Sequence, residues 1–229
     1  MTDGYQGPRL TRKQIAWRAA QDIAHGSYVN LGIGMPVMAS QFVPEGREVV
    51  YHSENGILGF GPMAEPGEED FDLVNAAKVP VTLLPGASFV HHADSFAMIR
   101  GGHLDIALLG AFQVAQNGDL ANWRIGNKGV PAVGGAMDLV TGAKEVYVLT
   151  EHVTKDGTPK LLERCEHPLT GVGVVTRIFT DLAVIHIKDG RFVLTEIVDG
   201  LDVDALQSMT GAKLHTDGDV QPIPAPELA

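Results

Sequence analysis

A carboxylate at the end of a strand is the feature of this sequence with the most direct chemical use. Ser53-Glu54-Asn55-Gly56 follows the short strand pattern Glu48-Val49-Val50-Tyr51. Asn-Gly is a strong turn former, so local chemistry by itself favours a surface turn carrying a solvated glutamate. The other reading presents Glu54 into a cleft, with Gly56 letting the backbone approach a substrate. A carboxylate buried among oriented hydrogen-bond donors can act as a nucleophile.

Other motifs carry less. Gly32-Ile33-Gly34 follows a strand, but the third glycine of a dinucleotide loop would fall on Val37, and no Gly-Lys-Ser/Thr is present. A tight strand-to-helix turn is the better reading. There are nine histidines. His91 and His92 are adjacent and so face different ways, His103 lies well downstream, and no cysteine pair accompanies them. A metal site is therefore not expected. No Gly-x-Ser-x-Gly elbow exists for a serine hydrolase. The single cysteine, Cys165, has Glu166 beside it, which disfavours the thiolate, and it reads as structural.

The elements that would position Glu54 follow from periodicity. Residues 11–26 read as a helix. Thr11 and Gln14 have capping-box spacing, Ile15, Ala19 and Ile23 lie on one face, and Gly26 suits the stop. A strand over 28–31 runs into the glycine turn, and Pro36 opens a helix over 37–42. Further strands are expected at 48–51, 79–84, 104–109 and 145–150, with a short helix over 95–100. Apolar strands ending in glycine turns and alternating with helices indicate an α/β fold: a mostly parallel open sheet covered by helices. Near the C-terminus, 181–187 and 191–197 flank Lys188-Asp189-Gly190, a hairpin signal. A helix capped by Asp202 follows. The three prolines after Gln221 predict a disordered tail over about 216–229, and no linker divides the chain into more than one domain.

Composition narrows the function. The net charge of −11 argues against nucleic acid, because phosphate binding needs clustered Lys and Arg. No apolar run is long enough for a membrane span, and the start of the sequence has no apolar signal region. One cysteine permits no internal disulfide, which fits a cytoplasmic protein.

Seven motifs in order add a resemblance. Asn30-Leu31-Gly32-Ile33-Gly34, Ser53-Glu54-Asn55-Gly56, Leu58-Gly59-Phe60-Gly61-Pro62 and Phe96-Ala97-Met98-Ile99-Arg100-Gly101-Gly102-His103 are four of them. Gly118-Asp119-Leu120-Ala121-Asn122-Trp123, Gly134-Gly135-Ala136-Met137-Asp138-Leu139 and Pro168-Leu169-Thr170-Gly171 complete the set. Together they resemble the family I coenzyme A transferases, specifically the B (β) subunit of 3-oxoacid CoA-transferases, over roughly residues 10 to 210.

The resemblance implies that Glu54 is the nucleophile, forming a covalent glutamyl-CoA thioester by ping-pong chemistry. It implies an oxyanion donor at Gly135 and a carboxylate-orienting amide at Asn30, for which plain turn capping is an equal alternative. Gly32, Gly34, Asn55, Gly56 and Gly134 become substrate- or CoA-contacting positions, though turn geometry alone also accounts for the glycines. A companion A (α) subunit is implied, in an α2β2 heterotetramer, with CoA thioesters as substrates and no resident cofactor. The stretches His91-His92-Ala93-Asp94-Ser95-Phe96 and Val130-Pro131-Ala132-Val133-Gly134-Gly135 look more like the 3-oxoadipate enzymes of that family than the acetoacetate ones. That implies succinyl-CoA as donor and a role in aromatic-compound breakdown. His91, His92 and Arg124 are then candidates for an acceptor's second carboxylate, or simply a polar rim. The alternatives are an acetoacetate enzyme, or a non-catalytic scaffold on the same fold.

Overall fold

The structure is a computed structural model and describes residues 5–126 and 133–228. Along the chain the strands are β1 (Ser27–Leu31), β2 (Val49–Ser53), β3 (Ile57–Met63), β4 (Val81–Phe89), β5 (Ile106–Gly110), β6 (Gln113–Ala115) and β7 (Leu120–Ala121). They continue with β8 (Glu145–Leu149), β9 (Leu161–Leu162), β10 (Arg177–Phe179), β11 (Ala183–Lys188), β12 (Arg191–Ile197), β13 (Leu214–His215) and β14 (Gln221–Pro222). The helices are α1 (Arg12–Gln21), α2 (His92–Arg100), α3 (Ala136–Gly142) and α4 (Val203–Ser208).

The main sheet has the spatial order β13-β12-β11-β10-β8-β5-β1-β2-β3-β4, with β14 also on β12. Its centre, from β2 to β10, is parallel. Its wings, β2-β3-β4 and β10-β11-β12, are antiparallel. The central strands carry the continuous apolar runs that double coverage requires: Ile106 to Leu109 and Val146 to Leu149 are all buried. A second sheet, β7-β6-β9, is built from three short strands. The chain steps from β1 to β2 on one side and later places β5 on the other. The carboxyl ends of β1 and β5 therefore border a topological switch point, where open α/β sheets form clefts.

Several elements form as the sequence indicates. Thr11 and Gln14 close the capping box, the Thr11 N–H donating to Gln14 Oε1 at 2.8 Å. Asp189 and Gly190 both have positive φ, 51° and 70°, giving the primed two-residue turn that suits a hairpin between β11 and β12. Asp202 caps α4 by accepting from the Ala205 N–H at 2.7 Å.

Others differ. Helix α1 stops at Gln21, because Asp22 is its C-cap and is held by Arg18 and Arg177, at 2.6 and 2.8 Å. Gly26 instead turns the chain into β1, its N–H bonded to Glu48 O. Pro36–Gln41 is a 3₁₀ helix, two tight turns squeezed between Gly34 and Phe42. Strand β3 was hidden by Gly59, Gly61 and Pro62, which sit where its register with β4 shifts. Strand β4 runs on through Pro85-Gly86 to Phe89; it is an edge strand, where a missing N–H is tolerated. The segment expected to be a disordered tail lies along the sheet: Gln221 and Pro222 pair with β12 and Ile223 is buried. Its prolines sit on an edge that needs few donors.

His152 sits just beyond β8 and is wholly enclosed, with its ring nitrogens 3.1 Å from Thr180 Oγ1 and 2.8 Å from Thr210 Oγ1. Burial pushes its pKa down to about 4, against an opposing pull from Asp181 and with a further push from Arg9. The unfolded chain therefore takes up a proton near pH 6.5 that the folded chain refuses. Stability is complete above that pH and falls as the pH drops toward 4, by about 3 kcal/mol in total. Urea unfolding of the wild type and His152→Gln between pH 7 and 4 should show a shallower acid loss in the variant. Identical slopes would remove His152 as the cause.

Candidate active site

The carboxyl ends of β1, β2, β5 and β8 open onto one cavity of about 450 Å³. Glu54 follows the last residue of β2 and is half-buried in this cavity's wall. The turn that carries it is tight. The Gly56 N–H bonds to Ser53 O at 2.9 Å, and Gly56 has φ 117°, a conformation that L side chains rarely adopt. A Cβ there would also collide with the Val90 carbonyl oxygen. The Asn-Gly turn that the sequence shows is real, but it turns β2 into β3 and leaves Glu54 facing the cleft instead of solvent.

Gly135, the residue before α3, closes on the carboxylate from the other side. A Cβ built on it would overlap Glu54 Oε2 and lie 3.0 Å from Cδ and 3.1 Å from Phe96 Cζ. Its own φ is −84°, so the backbone there accepts any residue; only the space beside Glu54 demands glycine. Burial raises the Glu54 pKa above the usual glutamate range, the charge of His92 pulls it down, and Asp138 pushes it up. Desolvation of this kind leaves a more basic carboxylate, and so a better nucleophile.

Behind Glu54 lies a buried polar chain. Asn30 and His52 are directly opposite in the β1–β2 register. Asn30 Nδ2 is 3.1 Å from both His52 Nδ1 and His52 O, His52 Nε2 is 2.9 Å from Ser95 Oγ, and Ser95 Oγ is 3.5 Å from Ser53 O. A carbonyl oxygen needs a donor, which fixes the Asn30 amide with its nitrogen toward His52. His52 Nδ1 then accepts and Nε2–H donates to Ser95, so the ring is neutral. Burial lowers the His52 pKa, against a raising contribution from Ser95, in keeping with that form.

Of the residues singled out in the sequence, Asn30, Gly32, Glu54, Gly134 and Gly135 line this one cavity. The Asn30 amide nitrogen is engaged with His52 at both its Nδ1 and its carbonyl oxygen. Gly34 lies outside the lining. The Asn55 side chain donates to Val74 O at 2.8 Å and so ties down the following loop. His91 is the N-cap of α2, accepting from the Ala93 N–H. His92 Nδ1 lies 3.1 Å from the Glu54 backbone oxygen. Arg124 does not line the cavity. Residues Val130 to Ala132, part of the stretch used to infer the acceptor, lie outside the described residues.

Sequence reasoning missed His52, Ser95, Asn122, Thr150 and Lys160. The pairing of Asn30 with His52 could have been found by aligning the ends of the first two strands. Ser95 lies in the expected short helix, where nothing local marks it as facing His52, and Asn122, Thr150 and Lys160 lie in connecting segments with no periodic signal. Asn122 donates to Gly110 O at 3.0 Å and accepts from Thr170 Oγ1, so it braces the cavity wall. Among the described residues no group of three His, Cys, Asp or Glu side chains is placed to hold a metal. Burial pushes the Cys165 thiol up to about 11, aided by Asp119, so it is unreactive near neutral pH.

In a carbon-13 NMR titration, with Glu54→Gln used for assignment, the Glu54 carboxyl should titrate above the ordinary glutamate range. His92→Gln should raise it further and Asp138→Asn should lower it. An ordinary value, or shifts of opposite sign, would contradict the electrostatics described.

The match to known proteins agrees with this geometry. Residues 12–208 match the family model described as Coenzyme A transferase. The chain is 55% identical over 207 residues to the β (B) subunit of 3-oxoadipate CoA-transferase from Pseudomonas putida, covering 90% of this chain and 97% of that one. It is 49% identical over 204 residues to the β (B) subunit of succinyl-CoA:3-ketoacid coenzyme A transferase from Helicobacter pylori, covering 89% and 98%. Among solved structures, an acyl-CoA transferase from Escherichia coli O157:H7 superimposes with a TM-score of 0.73 at 17% identity, over 96% of this chain and 44% of that one. Glutaconate coenzyme A-transferase from Acidaminococcus fermentans superimposes with a TM-score of 0.69 at 16% identity, over 95% and 90%. The chain belongs to the coenzyme A transferase family.

Proposed function

We propose that the chain is the catalytic β subunit of a 3-oxoacid CoA-transferase that moves CoA from succinyl-CoA to 3-oxoadipate through Glu54. The observation that carries this is the seating of the Glu54 carboxylate: half-buried at a strand end, in a cavity, with the Gly135 backbone packed against its oxygen.

The chemistry follows in balanced steps. The Glu54 carboxylate attacks the thioester carbonyl, the C–S bond breaks, and CoA leaves as thiolate from a mixed anhydride. The thiolate then attacks the Glu54 carbonyl carbon, releasing succinate and leaving a glutamyl-CoA thioester. The carboxylate of the acceptor attacks that thioester, and the returning thiolate attacks the acceptor's acyl carbon, regenerating Glu54. Each tetrahedral intermediate carries an oxyanion, for which the Gly135 N–H is the proposed donor; such a donor is worth about 3 kcal/mol. The anhydride must be kept from water, which a cavity at the strand ends favours.

The relatives, named as B subunits of their enzymes, support a partner A (α) subunit, and a heterotetramer of two pairs is the proposed assembly. The absence, among the described residues, of a helix long and apolar enough to cross a membrane is compatible with the cytoplasm as its proposed location. The identity of 55% with the Pseudomonas enzyme supports 3-oxoadipate as acceptor. Acetoacetate is the second reading, favoured by the absence of His91, His92 and Arg124 from the cavity lining and by the Helicobacter relative.

Incubating the complex of both subunits with succinyl-CoA alone should add the mass of CoA, less water, to the peptide containing Glu54. Glu54→Gln should abolish the adduct, and an adduct on Cys165 would refute the mechanism. Gly135→Ala should keep the fold but lower kcat/KM at least about 100-fold, because displacement of a reacting group by an ångström has that scale of effect. The β subunit alone should be nearly inactive until the α subunit is added. Comparing kcat/KM for 3-oxoadipate and acetoacetate decides the acceptor, and equal or better use of acetoacetate removes the 3-oxoadipate assignment while leaving Glu54 in place.

A further inference from the structure

Lys160 is the one cationic side chain among the described residues that line the cavity holding Glu54. The sequence offered no reason to notice it. It sits where a small loop returns across the end of β8: the Lys160 N–H bonds to His152 O at 3.2 Å, and the Lys160 carbonyl accepts from the Val114 N–H at 2.9 Å. Both backbone groups are thus fixed and the side chain is delivered to the strand ends. Its ammonium donates to Thr150 Oγ1, and Thr150 in turn donates to Ala111 O at 3.2 Å. An ammonium has three N–H donors, and the other two have no hydrogen-bond partner among the described residues.

The charges around it are unequal. Glu151 is paired with Arg12 at 2.8 Å and Asp181 with Arg9 at 2.6 Å. Lys160 has no ion pair of its own within bonding distance among the described residues, while the two acids that act on it, Glu151 and Asp181, are each bonded to an arginine. Burial lowers its pKa, while Glu151 and Asp181 raise it and Arg12 lowers it further. A half-buried ammonium without its own anion is a place where an anionic ligand would be held strongly.

Position sets the kind of anion. Thr150 follows β8 and Glu54 follows β2, with β1 and β5 between. Three inter-strand spacings separate them, about 14 Å between backbones. The Glu54 and Lys160 side chains reach into that span from opposite ends, leaving room for a short acyl chain. We propose that Lys160, seated on Thr150, is the subsite for the distal carboxylate of a dicarboxylic acyl group. The same end of the cavity would hold the free carboxylate of a succinyl donor and of a dicarboxylic 3-oxo acceptor in turn, as a ping-pong enzyme with one acyl site requires. The inference rests on the reading of Glu54 as the nucleophile. It also replaces His91, His92 and Arg124, which lie outside the lining.

Lys160 also borders a second, larger cleft of about 1210 Å³, which shares Phe112 and Glu151 with the first. A role toward CoA itself is therefore the outcome to separate. The test is formation of the Glu54 thioester by the two-subunit complex from succinyl-CoA and from acetoacetyl-CoA, together with inhibition by free succinate and by butyrate, which has the same length without the second charge. Lys160→Met should slow the succinyl-CoA reaction and weaken succinate at least about 30-fold, the scale for removing one partner of a desolvated charge pair. Acetoacetyl-CoA and butyrate should be essentially unchanged. Equal losses for charged and uncharged acyl groups, or no loss, overturn the subsite. If Lys160→Met does not assemble, Thr150→Val is read in the same way, with a smaller selective loss expected. If the wild type forms the thioester from neither donor, the Glu54 reading itself fails, an outcome distinct from loss of selectivity alone.

Discussion

Glu54 lies where it does because position 135 has no side chain. The carboxylate and the backbone just ahead of α3 occupy adjoining space, and a single added methyl group would have to displace one of them. That one contact joins the β2–β3 turn to the loop entering α3. These segments come from opposite sides of the switch point between β1 and β5. The rest of the cavity is arranged about it: strand ends supply the floor, α3 begins at one wall, and the short sheet β7-β6-β9 adjoins another. Burial at this junction also explains the raised Glu54 pKa, since removing water from a carboxylate disfavours its charge.

The buried chain from Asn30 through His52 to Ser95 keeps this arrangement electrically quiet. A protonated His52 would place a positive charge beside Glu54 and lower its basicity. Instead the ring accepts at Nδ1 and donates at Nε2, and burial favours its neutral form. The chain ends on the carbonyl of Ser53, the residue before the nucleophile. Ser53 Oγ in turn accepts from the Ala76 N–H at 2.8 Å. The backbone that presents Glu54 is thereby held on both sides by hydrogen bonds that carry no net charge. His92, exposed at the start of α2, reaches the Glu54 carbonyl from the solvent side, its Nδ1 3.1 Å from that oxygen.

What was legible in the sequence was mostly local. The capping box of α1, the Asp-Gly hairpin and the Asp202 cap each rest on chemistry within four residues, and each formed. The Ser-Glu-Asn-Gly stretch shows the limit. Its turn was readable, but whether Glu54 faced water or a cleft depended on α3, eighty residues later in the chain, and only the resemblance decided it. Strand β3 was illegible because Gly59, Gly61 and Pro62 suppress the alternation that marks a strand. Lys160 was illegible for another reason: its neighbours Thr150 and Glu151 lie across a turn, and no periodicity links them.

The motifs that carry the resemblance share a physical role, and for most of them it is geometric. Leu120 in β7 bridges to Gly171, the Trp123 Nε1–H bonds to Leu169 O at 3.1 Å, and Asn122 bonds with Thr170. Two motifs fifty residues apart are therefore one structure, and it braces Gly110 at the mouth of the cavity through Asn122. The glycine of the α3 motif yields space to Glu54, while Gly142 at the end of the same helix passes so close to Ile99 O that a Cβ would clash there too. Gly142 is fixed because backbone meets backbone and Gly135 because backbone meets the Glu54 and Phe96 side chains, and both residue types stay fixed however the acyl group varies. Selection of the acyl group has to come from side chains that line the cavity without holding its walls together. Of these, Lys160 is cationic, and it stands on the strand end farthest from the nucleophile.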